Sequence, residues 1–456
     1  MIQVYTNKEN YQYDLHSLIK AFYPERDVKV HGLEQISRAE ERGRITVSFE
    51  EKALHVVLAV QGGKVRVYDN PIETDEEEGT GVHLYKNACK LALYRDLCDY
   101  TGRTLPWGNL TGIRPTKLPM GMLAEGLSDE EIMHRLEETH AVSEEKSSLS
   151  LDIAKREKAL LDTIHYEDGY SLYIGIPFCP TTCLYCSFTS YPIAMWKKRV
   201  QDYLEAGQLD WLLTKLKNTF DWSQVKEFTV EAGRADSITP EKLAVLHQHG
   251  VTRISVNPQT MKDETLKFIG RRHTVAQVKE AFAWARGAGF DNINMDIILG
   301  LPGEMEEDVA HTIEEIKKLA PDSLTVHSLA IKRASRLSQW IEENGMETLH
   351  NTDATMEIAA AGAAALGMKP YYLYRQKNMS GNFENVGYAR EGKFGIYNIL
   401  IMEEVQSIVA LGAGSITKRV FPGGRIERCD NVKDVGLYIE KIDEMIERKS
   451  KLLGME

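Results

Sequence analysis

The chain lacks the features that would place it in a membrane or outside the cell. No run approaches the roughly 20 apolar residues of a membrane-spanning helix, and the N-terminus Met1-Ile-Gln-Val-Tyr lacks the basic and apolar regions of a signal peptide. Six cysteines among 456 residues are too few for a disulfide framework. These absences exclude a membrane protein and a disulfide-rich secreted domain, so we expect a cytoplasmic protein.

Basic residues are also in the minority. The chain carries 55 Lys and Arg against 67 Asp and Glu, which gives a formal net charge of −12. An acidic chain is repelled by the phosphate backbone, so this balance disfavours nucleic acid as a partner. With 43% hydrophobic and 27% charged residues, the composition is that of an ordinary globular chain of two or three domains.

Three of the six cysteines stand close together, and their spacing is the most informative pattern in the sequence. An apolar strand pattern that begins at Ser171 leads directly into Cys179, Cys183 and Cys186. A Cys-x3-Cys-x2-Cys loop can wrap three thiolates around one face of an iron–sulfur cluster, and thiolate is the ligand that such clusters take. Three ligands leave one iron of a [4Fe–4S] cluster without a protein ligand and open to a reactant.

A structural zinc ion is the alternative use of these thiolates. A tetrahedral zinc site needs a fourth Cys or His, usually from a second paired cluster. Cys89, Cys98 and Cys429 are instead scattered along the chain. The ligand count therefore favours iron–sulfur over zinc, and Cys89 and Cys98 are predicted to be core or surface thiols.

The order of helix and strand patterns divides the chain into four segments. Residues 1–104 show a helical stretch followed by alternating strands, which predicts a small α+β domain. Residues 105–168 begin with a turn-rich loop and are predicted as a helical linker region. Residues 346–456 begin with an Ala-rich helix and end in a charged helix at 432–453, and we predict a C-terminal α/β lid domain there.

Residues 169–345 alternate apolar β-runs with amphipathic helices, which is typical of a parallel β/α array. The predicted strands are 172–177, 227–231, 253–256, 292–299 and 323–329. The predicted helices include 240–249, 275–288 and 305–319. Chemistry in such arrays collects at the carboxyl ends of the strands, and Cys179 directly follows the first strand.

The cysteine motif resembles that of the radical S-adenosylmethionine (SAM) superfamily, Cys-x3-Cys-x-aromatic-Cys, with Tyr185 as the aromatic residue. Five motifs resemble the oxygen-independent coproporphyrinogen III oxidase family within it: Leu172-Tyr-Ile-Gly-Ile-Pro-Phe-Cys, Thr229-Val-Glu-Ala, Ile254-Ser-Val-Asn-Pro-Gln, Gly270-Arg-Arg-His and Asn294-Met-Asp-Ile-Ile-Leu-Gly-Leu-Pro-Gly. The flanking Pro106-Trp-Gly-Asn-Leu-Thr-Gly and Pro370-Tyr-Tyr-Leu-Tyr-Arg resemble its HemZ branch, the coproporphyrinogen dehydrogenases. This resemblance implies an α/β protein with a partial (β/α) barrel over 169–345.

The resemblance also implies which residues surround the [4Fe–4S] cluster and SAM. Tyr173 would lie near the sulfonium end of SAM, the position that we interpret as catalytic, and Tyr185 would contribute to cofactor binding. Glu231 would hold the amino or ribose groups of SAM, because a carboxylate accepts hydrogen bonds from ammonium and hydroxyl groups. The rest of the implied polar shell consists of Gln259, Arg271 and Asp296.

The implied reaction is an oxidative decarboxylation in haem biosynthesis. In the family, an electron from the cluster cleaves SAM to a 5′-deoxyadenosyl radical, which takes a hydrogen from the propionate of coproporphyrinogen III. Two carboxylates leave as CO2, and the product is protoporphyrinogen IX with two vinyl groups. The partners implied are a tetrapyrrole substrate and an unidentified electron donor and acceptor.

Aromatic and polar residues of the tail are candidates for the contact with a tetrapyrrole. A flat ligand with propionates would use aromatic faces and Arg side chains. Tyr374 and Arg375 are the principal candidates. The wider set comprises Tyr371, Tyr372, Asn378, Asn385, Tyr388, Tyr397 and Asn398. Packing is the alternative role of these tyrosines.

The sequence departs from the family pattern in two places. The oxidases have Cys-Gly-Cys at the end of the motif, whereas this chain has Cys186-Ser187-Phe188, and the haem chaperone branch also has Phe at that position. The Gly-Gly-Gly-Thr-Pro run, whose N–H groups approach the methionine part of SAM, does not occur in the sequence. Only residues 187–226 separate the cysteines from the next predicted strand, so we expect a strand and part of a helix to be missing near Ala206.

These departures leave two alternatives to the dehydrogenase. Phe188 favours a haem-binding chaperone of the same family, and the missing Gly-rich loop favours a protein that has lost catalysis. A β/α array that has lost one strand must either pair the neighbouring strands directly or leave an edge exposed.

Overall fold

The computed structural model describes residues 1–36, 43–60, 64–73, 81–186, 188, 190–192, 206–332, 335–345, 348–376 and 383–455. The chain forms two compact units. The first is Met1–Lys155 with Arg375–Asn378, and the second is Arg156–Tyr374 with Met379–Glu456. None of the helices described is both long and apolar enough to cross a bilayer.

The first unit is built on a five-stranded sheet in the order β2-β1-β3-β4-β5. Its strands are β1 (Ile2–Thr6), β2 (Val28–Gly32), β3 (Arg44–Phe49), β4 (Ala53–Ala59) and β5 (Arg66–Pro71). Its helices are α1 (Gln12–Phe22), α2 (Gly81–Thr101), α3 (Lys117–Ala124), α4 (Asp129–His140) and α5 (Glu144–Leu161), of which the last continues into the second unit. The sheet is mixed: β1 is parallel to β2 and β3, while β3, β4 and β5 are antiparallel.

Side-chain alternation explains the core of this unit. Every second residue of β3 is buried, as expected for a strand with one face on the core, and α1 packs Leu18 and Phe22 into the same cluster. Cys89 and Leu97 of α2 are buried in that cluster as well. The unit thus combines one mixed sheet with helices, and Cys89 is a free, buried thiol of its core.

The segment predicted as a separate helical linker belongs to the first unit. Leu105 is part of its core, and the following loop is fixed to the end of α4 by a hydrogen bond from Asn109 N–H to the His140 carbonyl (2.9 Å). The Ser143 N–H donates to the Pro106 carbonyl (2.9 Å). The unit therefore extends past residue 104, because the turn-rich loop closes its core.

The second unit contains two larger sheets and a short strand pair. Its strands are β6 (Tyr170–Ile174), β7 (Phe178–Cys179), β8 (Tyr191–Pro192), β9 (Thr229–Gly233), β10 (Arg253–Val256), β11 (Ile293–Leu299), β12 (Ser323–Ser328), β13 (Lys369–Tyr374), β14 (Asn385–Ala389), β15 (Ser407–Leu411), β16 (Ile416–Val420) and β17 (Ile426–Asp430). Its helices are α6 (Ala206–Thr219), α7 (Pro240–Gln248), α8 (Asp263–Phe268), α9 (Val275–Gly287), α10 (Glu306–Leu319), α11 (Arg336–Asn344), α12 (Asp353–Ala365), α13 (Ile396–Glu403), α14 (Val435–Glu440) and α15 (Ile442–Leu453). All five strands predicted for the β/α array form, with small shifts at their ends.

The six-stranded sheet has the order β13-β14-β12-β11-β10-β9. Strands β9 to β12 are parallel and are connected by helices, whereas β14 and β13 join the sheet antiparallel. Strands β10 and β11 are buried almost throughout, as expected for a parallel sheet that is covered on both faces. This confirms the predicted α/β class.

The strand that leads to the cysteines lies in the other sheet. β6 pairs with β15 in parallel, and the sheet continues antiparallel through β16 and β17. β6 and β9 are each the outermost strand of their sheet, and within the described residues they do not pair with each other. Within the described residues each of these two strands therefore has one edge without a partner, and the missing strand stays a prediction.

The C-terminal segment is part of both sheets rather than a separate lid. β13 and β14 extend the six-stranded sheet, and β15 provides the partner of β6. Tyr371 and Tyr372, two of the tail candidates for substrate contact, are buried in the core. Residues 346–456 therefore differ from the predicted lid domain, because their strands hydrogen-bond directly to strands of the predicted barrel.

Gly387 of β14 offers a test of this packing. It lies opposite Tyr372 on β13, and a Cβ at position 387 would collide with the Tyr372 ring. We expect Gly387→Ala to lower the free energy of unfolding by about 1 to 3 kcal/mol, since Tyr372 has no free space in which to move. Chemical denaturation measures this change.

The matched control for this test is Gly287→Ala in α9, where nothing lies within 4 Å of the added methyl group. This substitution should be neutral or stabilise the helix by about 0.5 to 1 kcal/mol. Equal effects of both substitutions would contradict the packing of Tyr372 over Gly387.

Candidate cofactor site

The three cysteines of the motif lie on one loop that follows β6. Cys179 ends the short strand β7, and a turn closed by the Cys186 N–H and the Cys183 carbonyl (3.2 Å) brings the other two together. Cys183 is buried, while Cys179 and Cys186 are partly buried, and all three are free thiols. Burial raises the pKa of the Cys179 thiol, and the positive charge of Arg234 opposes this effect.

Backbone contacts on two sides fix the cysteine loop. The Leu184 N–H donates to the Ile269 carbonyl (2.9 Å), and the Leu337 N–H donates to the Leu184 carbonyl (3.0 Å). Gly270 has a left-handed φ of +83°, and a Cβ there would come within 3.2 Å of the Thr182 carbonyl oxygen. Glycine at position 270 therefore permits the loop to approach the end of α8.

The donor set fits a cluster better than a single ion. In the part of the chain that the structure describes, no three Cys, His, Asp or Glu side chains are close enough to hold one metal ion. Thiolates that converge on one zinc ion at bonds of about 2.3 Å must nearly touch, whereas a cluster takes one thiolate at each of three irons. Three soft thiolates on one loop are the donor type and number that an iron–sulfur cluster takes from the protein.

Tyr173 on β6, Glu231 on β9 and Asp296 on β11 lie close enough to interact electrostatically. The Glu231 side chain is 61% exposed, and its carboxylate lies 3.8 Å from the guanidinium of Arg253, which is almost completely buried. The protein around Glu231 and the charge of Asp296 raise the pKa of Glu231. Burial raises the pKa of the Tyr173 phenol, and the negative charge of Glu231 raises that pKa further. These groups present an accessible carboxylate to a ligand.

Asp296 is held in its ionised form by its own neighbours. Its carboxylate accepts a hydrogen bond from the Asn294 amide (2.7 Å) and lies 3.7 Å from the His327 imidazole. Burial alone would raise the pKa of Asp296, but His327 and the hydrogen bonds lower it. The pKa of Glu231 is therefore raised and that of Asp296 is lowered, although the two carboxyl groups are close.

Gln259 and Arg271 occupy the side of the site that faces the cysteines. Gln259 has a left-handed φ of +71°, which is rare for a residue with a Cβ, and its N–H donates to the Asp296 carbonyl (2.9 Å). The Arg271 guanidinium donates to the Asn257 carbonyl (2.6 Å) and to the Tyr185 hydroxyl (3.3 Å). The Arg271 Nε and the Asn257 Oδ1 are buried and have no hydrogen-bond partner among the described residues, so they can receive a ligand group.

The two principal substrate candidates lie in different places. The Tyr374 hydroxyl lies 3.4 Å from the His327 Nδ1, which connects it to the surroundings of Asp296. Arg375 instead belongs to the first unit, where its guanidinium donates to the Leu110 carbonyl (2.6 Å) and lies over the Trp107 ring. Arg375 is therefore used in packing within the first unit, whereas Tyr374 lies beside the polar shell.

The wider set of tail candidates is mostly buried. Asn385 and Tyr388 lie in β14, and the Asn398 amide donates to the buried Tyr371 hydroxyl (3.0 Å). Tyr397 is only partly buried, and its ring stacks on the Tyr173 ring with the two ring centres 6.5 Å apart. Asn378 lies outside the described residues.

Sequence reasoning missed three charged or polar residues of this region. Arg253 and His327 each belong to a strand whose other residues are uncharged, which is a signal that could have identified them. Arg234 follows β9 and donates to the Cys183 sulfur (3.6 Å). No local pattern distinguishes Arg234 from a surface arginine, because its partner is distant in sequence.

Comparisons with known proteins agree with this arrangement. The Radical SAM superfamily profile matches residues 223–316. The chain is 37% identical to the oxygen-independent coproporphyrinogen-III oxidase-like protein HemZ of Bacillus subtilis, over 96% of this chain and 95% of that protein. It is also 32% identical to the heme chaperone HemW of the same organism, over 36% of this chain and 51% of that protein.

A solved structure is similar to part of the chain. The coproporphyrinogen III oxidase HemN of Escherichia coli, a radical SAM enzyme, aligns with a TM-score of 0.46 at 18% identity, over 63% of this chain and 72% of that chain. The cysteine loop and the β/α sheet define the class of the protein, which is the radical SAM superfamily. Within it, the chain belongs to the HemZ family of oxygen-independent coproporphyrinogen-III oxidase-like proteins.

We predict that Cys179, Cys183 and Cys186 together bind about four irons, because only these thiols lie on one loop. Replacing any one with Ala should abolish the brown chromophore after anaerobic reconstitution. Iron and sulfide analysis measures the loss. Cys98→Ala is the matched control and should keep its iron, while full iron and sulfide in the triple variant would show that the ligands are wrongly assigned.

Proposed function

We propose that the chain is a radical SAM oxidoreductase that acts on a tetrapyrrole, with the [4Fe–4S] cluster held by Cys179, Cys183 and Cys186. The observation that carries this proposal is the cysteine loop beside a polar shell from strands β6, β9 and β11 and the segments that follow β10 and α8. The groups of that shell are Tyr173, Tyr185, Glu231, Gln259, Arg271 and Asp296. The HemZ relative supports it, since this chain matches 95% of that protein.

The residues of the shell have distinct tasks in this proposal. When bound, the cluster and SAM supply one-electron chemistry that ends in hydrogen abstraction from a substrate. Glu231 accepts hydrogen bonds from the ammonium group of SAM, and Asp296 remains ionised beside it. Arg271 and Asn257 offer a buried donor and acceptor without partners among the described residues.

The proposed substrate is coproporphyrinogen III, and the proposed reaction converts two of its propionates to vinyl groups. Each conversion removes one hydrogen and one carboxylate as CO2, and an external acceptor takes the remaining electron. Tyr374 supports a tetrapyrrole contact because its ring lies near His327 and Asp296, with an aromatic face suited to a flat ligand.

A haem-binding chaperone is the second candidate function. Phe188, next to the cysteine loop, is 85% exposed and provides an apolar surface that nothing in the described structure covers. Relatives named heme chaperone match part of this chain. The missing strand weakens the site for SAM but leaves this apolar surface, so the same fold supports a haem-binding role.

Anaerobic turnover distinguishes the two functions. Reconstituted protein with SAM, dithionite and coproporphyrinogen III should give protoporphyrinogen IX and 5′-deoxyadenosine if the chain is the oxidoreductase. Titration with haem should give a stoichiometric Soret band if it is the chaperone, and Phe188→Ser should then weaken haem binding. Haem binding without any product would overturn the enzymatic proposal.

Glu231 gives a pH-dependent test of SAM binding. A carboxyl group with a raised pKa loses its negative charge at a higher pH than an ordinary glutamate, so SAM affinity should decrease as the pH falls through that range. Glu231→Gln should bind SAM about tenfold or more weakly at neutral pH, because a charge-assisted hydrogen bond contributes about 1.5 to 3 kcal/mol. Calorimetry at several pH values measures both effects.

The control for this test is Glu241→Gln in α7, which should leave the affinity and its pH dependence unchanged. We expect the wild-type affinity to be weak as well, since each backbone donor of the absent Gly-rich loop would contribute about 1 kcal/mol. Insertion of a strand and a Gly-Gly-Gly-Thr-Pro loop before Ala206 should strengthen it. An unchanged affinity in Glu231→Gln would remove Glu231 from the site.

A further inference from the structure

Arg234 is a buried arginine whose guanidinium reaches a sulfur of the cysteine loop. Its Nη1 lies 3.6 Å from the Cys183 Sγ and 3.3 Å from the Thr181 carbonyl oxygen. The Arg234 side chain is 7% exposed. A positive charge in this position is shielded from water, so it attracts the Cys183 sulfur more strongly than the charge of a surface arginine would.

The turn after β9 explains why Arg234 points to the loop. Gly233 has a left-handed φ of +61°, and the Arg234 N–H donates back to the Ala232 carbonyl (2.7 Å). This sharp turn ends the strand, and the short 3₁₀ helix Ala235–Ser237 then begins. Asp236 in that helix lies two positions after Arg234, close enough to pair with it.

Asp236 holds the guanidinium in a fixed orientation. The Arg234 Nε donates to the Asp236 Oδ1 (2.9 Å), and Nη2 donates to Oδ2 (2.7 Å), which is a bidentate pair. The His273 ring, which is fully buried, lies 3.5 Å from the Asp236 Oδ1 on the other side. Two of the three guanidinium nitrogens are thus engaged by the carboxylate, and the third is left to face Cys183 and Thr181.

Two other arginines near the loop do not share this contact, and one of them, Arg336, donates to the Thr182 carbonyl (2.9 Å). Arg271 directs its donors to the Asn257 carbonyl and the Tyr185 hydroxyl rather than to a sulfur. Among the described residues, Arg234 is therefore the arginine that donates directly to a proposed cluster ligand. Hydrogen bonds to ligand sulfurs and nearby positive charge stabilise the more negative, reduced state of an iron–sulfur cluster.

We propose that Arg234, oriented by Asp236, is a positioning residue that donates a hydrogen bond to the Cys183 sulfur and thereby raises the reduction potential of the bound cluster. This inference rests on the proposed cluster. It assigns a role to a residue outside the groups proposed to bind SAM. The contact also links the end of β9 to the loop that follows β6, although β6 and β9 do not pair with each other in the part of the chain that the structure describes.

Redox titration of the reconstituted protein, followed by electron paramagnetic resonance of the reduced cluster, tests this role. Arg234→Gln should keep the iron and sulfide content and shift the midpoint potential to a more negative value, because it removes the charge and the strong donor. Arg234→Lys should give a smaller negative shift, since an ammonium group cannot hold both Asp236 oxygens and still reach Cys183. Arg390→Gln is the matched control for the charge change and should leave the potential unchanged.

The outcomes separate this inference from the proposed function. If the wild-type protein fails to bind a cluster, the proposed function is wrong. If the wild type binds one and the midpoint potential is unchanged in whichever Arg234 variant retains iron, the inference alone is wrong. Loss of iron from both variants with an unchanged melting temperature would also overturn it, because Arg234 would then be needed for assembly rather than for the potential.

Discussion

The parallel pairing of β6 with β15 is the interaction on which the candidate site depends. β6 delivers the cysteines, yet it has no hydrogen-bonded neighbour on its other edge within the described residues. A strand alone is not stable in water, so its position is determined by a partner much later in the chain. The hydrogen bond between Ser171 and Gln406 (2.7 Å), 235 positions apart, marks the start of this pairing.

This pairing separates the two halves of the site onto different sheets. The cysteine loop follows a strand of the four-stranded sheet, whereas Glu231 and Asp296 belong to the six-stranded sheet. Side chains and loops rather than a continuous β-ladder therefore join the halves. Arg234 reaches the cysteine loop from the end of β9. The start of α13 contacts both halves of the site, because the Ile396 N–H donates to the Glu227 carboxylate and the Tyr397 ring stacks on Tyr173.

The six-stranded sheet supports the two carboxylates differently. Asp296 lies on β11, which has a partner on both sides, whereas Glu231 lies on β9, which pairs only with β10 within the described residues. In the family pattern, a Gly-rich loop brings backbone donors close to a ligand, an approach that a Cβ obstructs. The remaining side chains can fix the charge of a ligand, while the backbone donors of that loop have no counterpart in the sequence.

The sequence by itself determined the local features of this protein. The β-runs and amphipathic helices of 169–345 follow from residue periodicity, and the iron–sulfur interpretation follows from ligand type and spacing, which are short-range properties. That a strand is missing between Cys186 and β9 stays a prediction from the sequence, since it rests on the small number of residues between them. Only the tertiary structure decided that β15 supports β6, that β13 and β14 extend the other sheet, that Arg375 packs within the first unit, and that Arg234 faces Cys183. These contacts join residues far apart in the chain. A short-range sequence pattern cannot predict which distant strands pair, because the hydrogen bonds and packing that stabilise the pair form only when the sheets assemble.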